Sequence, residues 1–247
     1  MANFCVIIAA AGKSSRFKDL HFKKPFAILN GKAVWLYSAE LFLKRSDVKQ
    51  VIVVLAKEDR REFAEKFGAN IAIHGIDIAA GGSERSDSVQ NALMTVRDDI
   101  DYVVIHDAAR PCIDEALVTG VFEAAKQSGA AIPTIPVFST LKKSMDGKTV
   151  DETVDRSHLY LAQTPQVFAK DMLIDMYARR GDLQPTDEAQ LAESLGHKVA
   201  MVEGSPLNIK ITKRGDLDLA RAFMAALPKP KFDAPLHPFK NGDDLWR

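Results

Sequence analysis

Three stretches of the sequence carry residue types whose spacing suits chemistry on a phosphorylated ligand. In residues 6–25, VIIAAAGKSSRFKDLHFKKP, an apolar run enters the small-residue turn Ala9-Ala10-Ala11-Gly12 and leaves as a segment bearing Lys13, Arg16, Lys18, Lys23 and Lys24. Small side chains let backbone N–H groups approach a phosphate or a base directly, and flanking cations add charge-assisted hydrogen bonds to its oxygens. Neither of two familiar phosphate loops is present. A Walker A loop needs glycine where Ile7 stands, and a dinucleotide fingerprint needs glycine in place of Ser14 and Phe17. On these residues alone, an ordinary strand-to-helix turn with exposed lysines stands as an equal alternative.

The second stretch, Gly81-Gly82-Ser83-Glu84-Arg85-Ser86-Asp87-Ser88-Val89, has paired glycines leading into a serine-rich helix start. A helix N-terminus with free N–H groups and hydroxyls suits a sugar or a base as well as an anion. A capped surface helix has the same composition. The third is Asp107-Ala108-Ala109-Arg110-Pro111, directly after the apolar run 101–106. In open parallel sheets the ligand crevice lies beyond the carboxyl ends of the strands, so an acid and an arginine here are well placed. Such a carboxylate suits Mg²⁺ held against a nucleotide's phosphates. An ion pair stapling a loop is the structural alternative, and His106 reads as a packing or supporting residue.

These stretches need a sheet to hold them. Apolar runs at 4–8, 48–55, 101–106 and 130–137, separated by the helical patterns 34–44, 57–67, 81–97 and 116–126, predict βαβ alternation and hence a parallel sheet. A short strand is expected over 71–78, and Pro133 and Pro136 suggest a sheet edge or irregular ends for 130–137. Residues 139–156 read as two modest polar strands around Asp146-Gly147, the dipeptide of tight type I′ hairpins. This ribbon has too little apolar surface to stand alone, so it either packs on something, such as another subunit, or is simply solvated. Residues 159–168 return to the core and 170–179 are helical. Thr186-Asp187-Glu188 caps a helix ending at Gly196, and short strands follow at 198–202 and 209–212. A closing helix over 216–227 would turn Leu217, Leu219, Ala220 and Phe223 inward. From residue 228 on, four of the eleven prolines fall in a stretch without periodicity, which reads as a tail.

Composition limits the partners. A chain of 247 residues, 47% hydrophobic, can bury one large α/β core, and 33 basic against 33 acidic residues leave no net field favouring nucleic acid or an anionic membrane. The substrate is therefore expected to be small and its anion site local. Cys5 and Cys112 suggest no disulfide framework, the six histidines show no zinc spacing, and no apolar run reaches membrane-spanning length. A cytoplasmic protein is the expectation.

The strings AAAGKSSRF, KKPF, GGSERSDSV, HDAARP, PVFSTLKK, TVDR, TPQVF, TDEA and NIKIT occur in an order that resembles the 2-C-methyl-D-erythritol 4-phosphate cytidylyltransferase family, over roughly residues 3–226. That resemblance implies a Rossmann-like nucleotidyltransferase fold over residues 1–227, with a protruding β-hairpin arm at about 138–157 reaching the partner of a homodimer. It implies cytidylyl transfer from CTP to methylerythritol phosphate with Mg²⁺. Ala10, Ala11 and Gly12 match the family's nucleotide loop, Gly82 and Ser88 its cytosine and ribose contacts, and Ala108 with Asp107 the nucleotide side of the acid. Arg16 and Lys24 match the pair that stabilises the pentacoordinate α-phosphate, Lys23 adjoining as an alternative to Lys24, and Asp107 also matches the acid near the metal. Arg110, Thr140, Arg156, Thr164, Thr186 and Lys210 match positions around the acceptor, Thr140 and Arg156 lying on the arm. Ser14 replaces a glycine common in the family's first loop. Chemically, no nucleophilic side chain is required when one phosphate oxygen attacks another phosphate, and cationic stabilisation with alignment suffices. A cytidylyltransferase for another polyol phosphate, such as ribitol phosphate, and a nucleotide binder without turnover are the rival readings.

Overall fold

Why the first loop, the helix start and the acid can share one site follows from strand register. The computed structural model describes residues 2–12 and 26–228, so Arg16, Lys23, Lys24 and the tail from residue 229 lie outside the described residues. Strand β1 (Phe4–Ala9) is followed by the short pair β2 (Ile28–Leu29) and β3 (Lys32–Ala33), helix α1 (Val34–Leu43), β4 (Val48–Leu55), α2 (Arg60–His74), β5 (Asp77–Ala80), α3 (Arg85–Leu93) and β6 (Tyr102–Asp107). Then come α4 (Glu115–Ser128), β7 (Ala130–Pro136), β8 (Leu141–Lys143), β9 (Glu152–Val154), β10 (Tyr160–Ala162), β11 (Gln166–Ala169), α5 (Lys170–Ala178), α6 (Glu188–Ser194), β12 (Ala200–Glu203) and α7 (Asp216–Ala226).

The main sheet runs β10-β7-β11-β6-β1-β4-β5, with β12 on the free edge of β7. β1 lies parallel to β4 and β6, and β4 parallel to β5, whereas β11 runs antiparallel to both β6 and β7. Along β1 both faces are apolar. Val6 and Ile8 meet Val51, Val53, Trp35, Phe42, Val118 and Phe122, while Cys5 and Ile7 meet Ile52, Val54, Val103, Ile105, Val89 and Leu173 on the other side. A strand buried on both faces is what a parallel sheet with helices above and below demands. Each such large side chain contributes roughly 1.5–3 kcal/mol by burial, so the central strands are the most firmly placed part of the molecule.

Register then brings the loops together. Ala9, the last residue of β1, pairs with Asp107 at the end of β6 and with Val54 near the end of β4, and Leu55 pairs with Ala80 at the end of β5. The segments beginning at residues 10, 56, 81 and 108 therefore leave the sheet along one edge, the carboxyl ends of four parallel strands, where open α/β sheets bind ligands.

Several sequence expectations are corrected. Residues 71–74 extend α2 rather than starting a strand, because Phe63, Phe67 and Ile71 recur at four-residue spacing against the core; Gly75, at φ +60°, ends the helix and β5 begins only at Asp77. β7 is not a sheet edge, having neighbours on both sides. Pro133 still pairs through its carbonyl, which accepts from Gln163 N at 2.8 Å at the gap between β10 and β11. Residues 209–212 form no strand and cross the ends of the sheet, with Ile211 N donating to Ala109 O at 2.8 Å. Leu219 is exposed, since it falls off the stripe formed by Asp216, Ala220 and Phe223.

β8 and β9 form a separate two-stranded ribbon paired from Leu141↔Val154 to Lys143↔Glu152. Its connection is not a two-residue type I′ turn. Residues 144–151 are organised by the Asp146 carboxylate, which accepts from Lys148 N, Thr149 N, Thr149 Oγ1 and Ser144 Oγ at 2.7–3.0 Å. Cys5 and Cys112 are free and buried.

Candidate active site

A cleft of about 560 Å³ opens at the carboxyl edge of the sheet, lined by residues 9–12, 56–58, 81–85 and 107–109 together with Ser88 and Lys210. Its floor is backbone brought close by small residues. Ala10 N donates to Val54 O at 3.0 Å and Ala108 N to Ala9 O at 3.2 Å, so both alanines are fixed in the sheet's extension. Gly81 is required by proximity: a Cβ there would lie 2.6 Å from the Cβ of Ala11. Among the described residues, no atom lies within 4 Å of where a Gly12 Cβ would stand.

The second wall is the entry to α3. Gly82 N donates to Ser88 Oγ at 3.0 Å, and Ser88 Oγ donates to Glu84 O at 2.9 Å, which folds the glycine back over the first turn. A Cβ at Gly82 would meet the Asp87 Cβ at 2.4 Å. Asp87 locks this turn as a capping box, taking Glu84 N at 3.1 Å and Ser83 Oγ at 2.5 Å, and Arg180 reaches its other oxygen at 2.8 Å. The result is a rigid, polar, close-fitting rim of the sort that reads a flat base or a ribose edge.

At the back of the cleft stands Asp107, 7% exposed. Lys210 Nζ lies 2.6 Å from Oδ2, Arg110 Nε 3.8 Å from Oδ2, and Arg85 Nε 3.8 Å from Oδ1. Burial alone would raise the carboxyl pKa, but Lys210, Arg85 and Arg110 together hold it well below the usual carboxylate range. Arg85 is shared with Glu188, so two buried carboxylates, Asp107 and Glu188, meet three cations at the back of the cleft. Burial pulls Arg110 down against the pull of Asp107, and its Nε has no hydrogen-bond partner, while one of its terminal nitrogens donates to Asn208 O at 2.7 Å. Behind the acid, His106 is wholly buried and burial lowers it to about 4.

Arg85 was not singled out by sequence reasoning, although it lies inside the Gly-Gly-Ser-Glu-Arg string. Its guanidinium grips Glu188 in a bidentate pair at 2.7 and 2.9 Å, and Tyr177 Oη donates to the same carboxylate at 3.0 Å. Glu188 is fully buried, so this pair fixes α3 to α6 from within. An arginine and a glutamate so far apart in sequence gave no local signal of their pairing.

The expected site residues divide between places. Ala10, Ala11, Gly12, Gly82, Ser88, Asp107, Ala108 and Lys210 line the one cleft, and Arg110 stands against Asp107. Thr164, 5% exposed, turns its hydroxyl to Asp107 N and His106. Thr186 lies exposed before α6, its hydroxyl and N–H both on Gln190 Oε1. Thr140 and Arg156 flank the exposed ribbon, where Arg156 donates to Phe138 O. These last three do not line the cleft among the described residues. Arg16 and Lys24 lie outside the described residues.

Small-residue loops and a helix start set around a buried acid, at the carboxyl edge of a mostly parallel sheet, define a nucleotidyltransferase of α/β class. The model of the family described as "IspD: 2-C-methyl-D-erythritol 4-phosphate cytidylyltransferase" matches residues 4–226, and the chain belongs to that family. A protein of that name from Rhodopirellula baltica is 39% identical over 235 residues, covering 90% of this chain and 95% of the relative. One from Clostridioides difficile is 37% identical, covering 90% and 93%. Among solved structures, the 2-C-methyl-D-erythritol 4-phosphate cytidylyltransferase from Thermus thermophilus superposes with a TM-score of 0.72 at 32% identity, covering 91% of this chain and 100% of that one.

Proposed function

We propose that the protein transfers the cytidylyl group of CTP to 2-C-methyl-D-erythritol 4-phosphate. A phosphate oxygen of the acceptor attacks the α-phosphorus of CTP, the bond from that phosphorus to the bridging oxygen breaks, and pyrophosphate leaves with that oxygen. The observation that carries the reading is the cluster of Lys210, Arg85 and Arg110 around Asp107, directly beside the glycine-bearing cleft. Two anions must approach each other in this reaction, and fixed cations offset their repulsion without reorganising. In this reading Ala10, Ala11 and Gly12 take the phosphates and Gly82 and Ser88 the nucleoside. Arg16 and Lys24 act at the α-phosphate, while Arg110, Thr164, Thr186 and Lys210 serve the acceptor.

Mg²⁺ is usually held by one or two carboxylates plus the substrate's own phosphates, keeping several waters. Among the described residues no group of three metal-binding side chains exists, yet Asp107 lines the cleft, with Lys210 Nζ 2.6 Å from Oδ2 and the Arg85 guanidinium 3.8 Å from Oδ1. A single carboxylate at a cleft suits that mode, so Asp107 would hold the ion together with the nucleotide, and the bound ion would neutralise charge on the phosphates. The exposed ribbon, with Thr140 and Arg156 at its base, fits an arm that serves a second subunit of a homodimer. No helix among the described residues is long and apolar enough to cross a membrane, and a cytoplasmic location agrees with small, phosphorylated substrates.

The test is pyrophosphate release from CTP and Mg²⁺ across a panel of polyol phosphates. Release is expected with methylerythritol phosphate, falling by about 10²–10³ in kcat in Arg16→Ala, Lys24→Ala or Lys210→Ala, the loss that follows removal of one preorganised donor. Release with ribitol phosphate instead would overturn the acceptor assignment.

A further inference from the structure

The buried groups behind Asp107 form a closed ring of hydrogen bonds that the transfer chemistry does not itself use. Asp107 N donates to Thr164 Oγ1 at 3.1 Å, and Thr164 Oγ1 stands 3.1 Å from His106 Nδ1. His106 Nε2 is 3.2 Å from Arg110 O and 3.2 Å from Ser38 Oγ. A terminal nitrogen of Arg110 donates to Asn208 O at 2.7 Å, and Asn208 Nδ2 returns to Thr164 O at 2.8 Å. His106, Thr164 and Asn208 are 0%, 5% and 0% exposed, so water does not compete for these bonds.

Donor and acceptor roles fix the direction of the ring. A backbone carbonyl only accepts, so the Nε2 facing Arg110 O carries a proton. The imidazole is wholly buried, and its Nδ1 stands against the Thr164 hydroxyl, whose oxygen already takes Asp107 N. Both ends of the 107–110 turn are thereby tied to one ring: its first N–H through Thr164, its last carbonyl directly.

We propose that His106 is a positioning residue whose Nε2–H donates to the Arg110 carbonyl. With Thr164 it holds the 107–110 turn so that Asp107 and Arg110 meet Lys210 in a fixed arrangement. Through this relay the Thr164 hydroxyl serves the acceptor, by placing the residues that meet it. Only the kinetic part of the test rests on the proposed cytidylyl transfer.

The Nε2 proton is read by ¹⁵N NMR of protein labelled at histidine, with His106→Gln assigning the signal. One slowly exchanging ring with Nε2 protonated is expected; a bare Nε2 overturns the proposal. The kinetic part compares Thr164→Val, Thr164→Ser, His106→Gln and the Val/Gln double variant. Thr164→Val leaves Asp107 N and His106 Nδ1 without partners and is expected to lower kcat about tenfold, with the KM for both substrates within twofold. Thr164→Ser keeps the hydroxyl and should restore most of the rate, and the double variant should be no slower than the slower single one, since both break one relay. A raised acceptor KM in Thr164→Val with kcat intact, or losses that multiply in the double variant, would overturn it. If His106→Gln fails to fold, the Val and Ser pair and the wild-type spectrum decide. Absence of turnover with every acceptor would sink the function and leave the spectral result standing.

Discussion

Single residues here are constrained by contact distances more than by composition. Gly82 is the clearest instance, because its missing side chain is what lets the helix entry fold back on Ser88. Gly82→Ala places a methyl group where the Asp87 Cβ already is, 2.4 Å away, so the loop must move. The expected result is a CTP affinity at least tenfold weaker by calorimetry, with a melting temperature within a few degrees of wild type, since Gly82 sits on the rim and not in the core. Asp107, Ala10, Ala11 and Gly12 were legible in the sequence as a strand end followed by small or charged residues. Arg85 was not, because its partners Glu188 and Tyr177 come from the other half of the chain and only three-dimensional packing joins them. Thr164 was legible as a site residue only by family likeness; that its hydroxyl faces inward could be seen only from structure.

Among the elements, the central strands were readable because burial on both faces leaves continuous apolar runs. Errors fell where the period was ambiguous or where side chains replaced the ladder. Residues 71–74 are apolar enough for either a strand or a helix, and Phe63 and Phe67 upstream decided for the helix. Residues 209–212 show strand-like composition, but the segment around them is held by Gln163, Arg110 and Asp216 instead. Asp216 shows how such a segment is fastened: its carboxylate accepts from Thr212 N, Thr212 Oγ1 and Lys213 N at 2.7–3.0 Å. Burial would raise its pKa, but those donors outweigh it and leave the pKa lowered. A depressed folded-state pKa means the contribution is complete above the ordinary carboxylate range and disappears as pH falls through the folded value. Asp216→Ala should therefore cost about 1–2 kcal/mol at pH 7 by denaturant titration, and the gap to wild type should narrow at acidic pH.

For the whole molecule, the exposed apolar side chains are unevenly placed. Phe138, Leu159, Tyr160 and Leu161 are 65%, 40%, 51% and 51% exposed and all belong to the stretch around the ribbon and β10. Exposed apolar side chains here suit the homodimer proposed above. The double variant Tyr160→Lys, Leu161→Glu is expected to turn that proposed dimer into a monomer in analytical ultracentrifugation while leaving the circular dichroism of the core unchanged; a wild type that sediments as a monomer at micromolar concentration would contradict it.

One asymmetry of the cleft has a bearing on how such enzymes diverge. Its described walls come from the first 109 residues, apart from a lone ammonium delivered by the unpaired crossing at Lys210. On the proposed reading, handling of the nucleotide is thus written into the sheet and its immediate exits. The lysine rides on a segment that belongs to no strand and is held by Ile211 N on Ala109 O and by Asn208. A lineage could exchange one sugar phosphate for another by rewriting that crossing and the ribbon, while the machinery gripping the activated donor stays untouched.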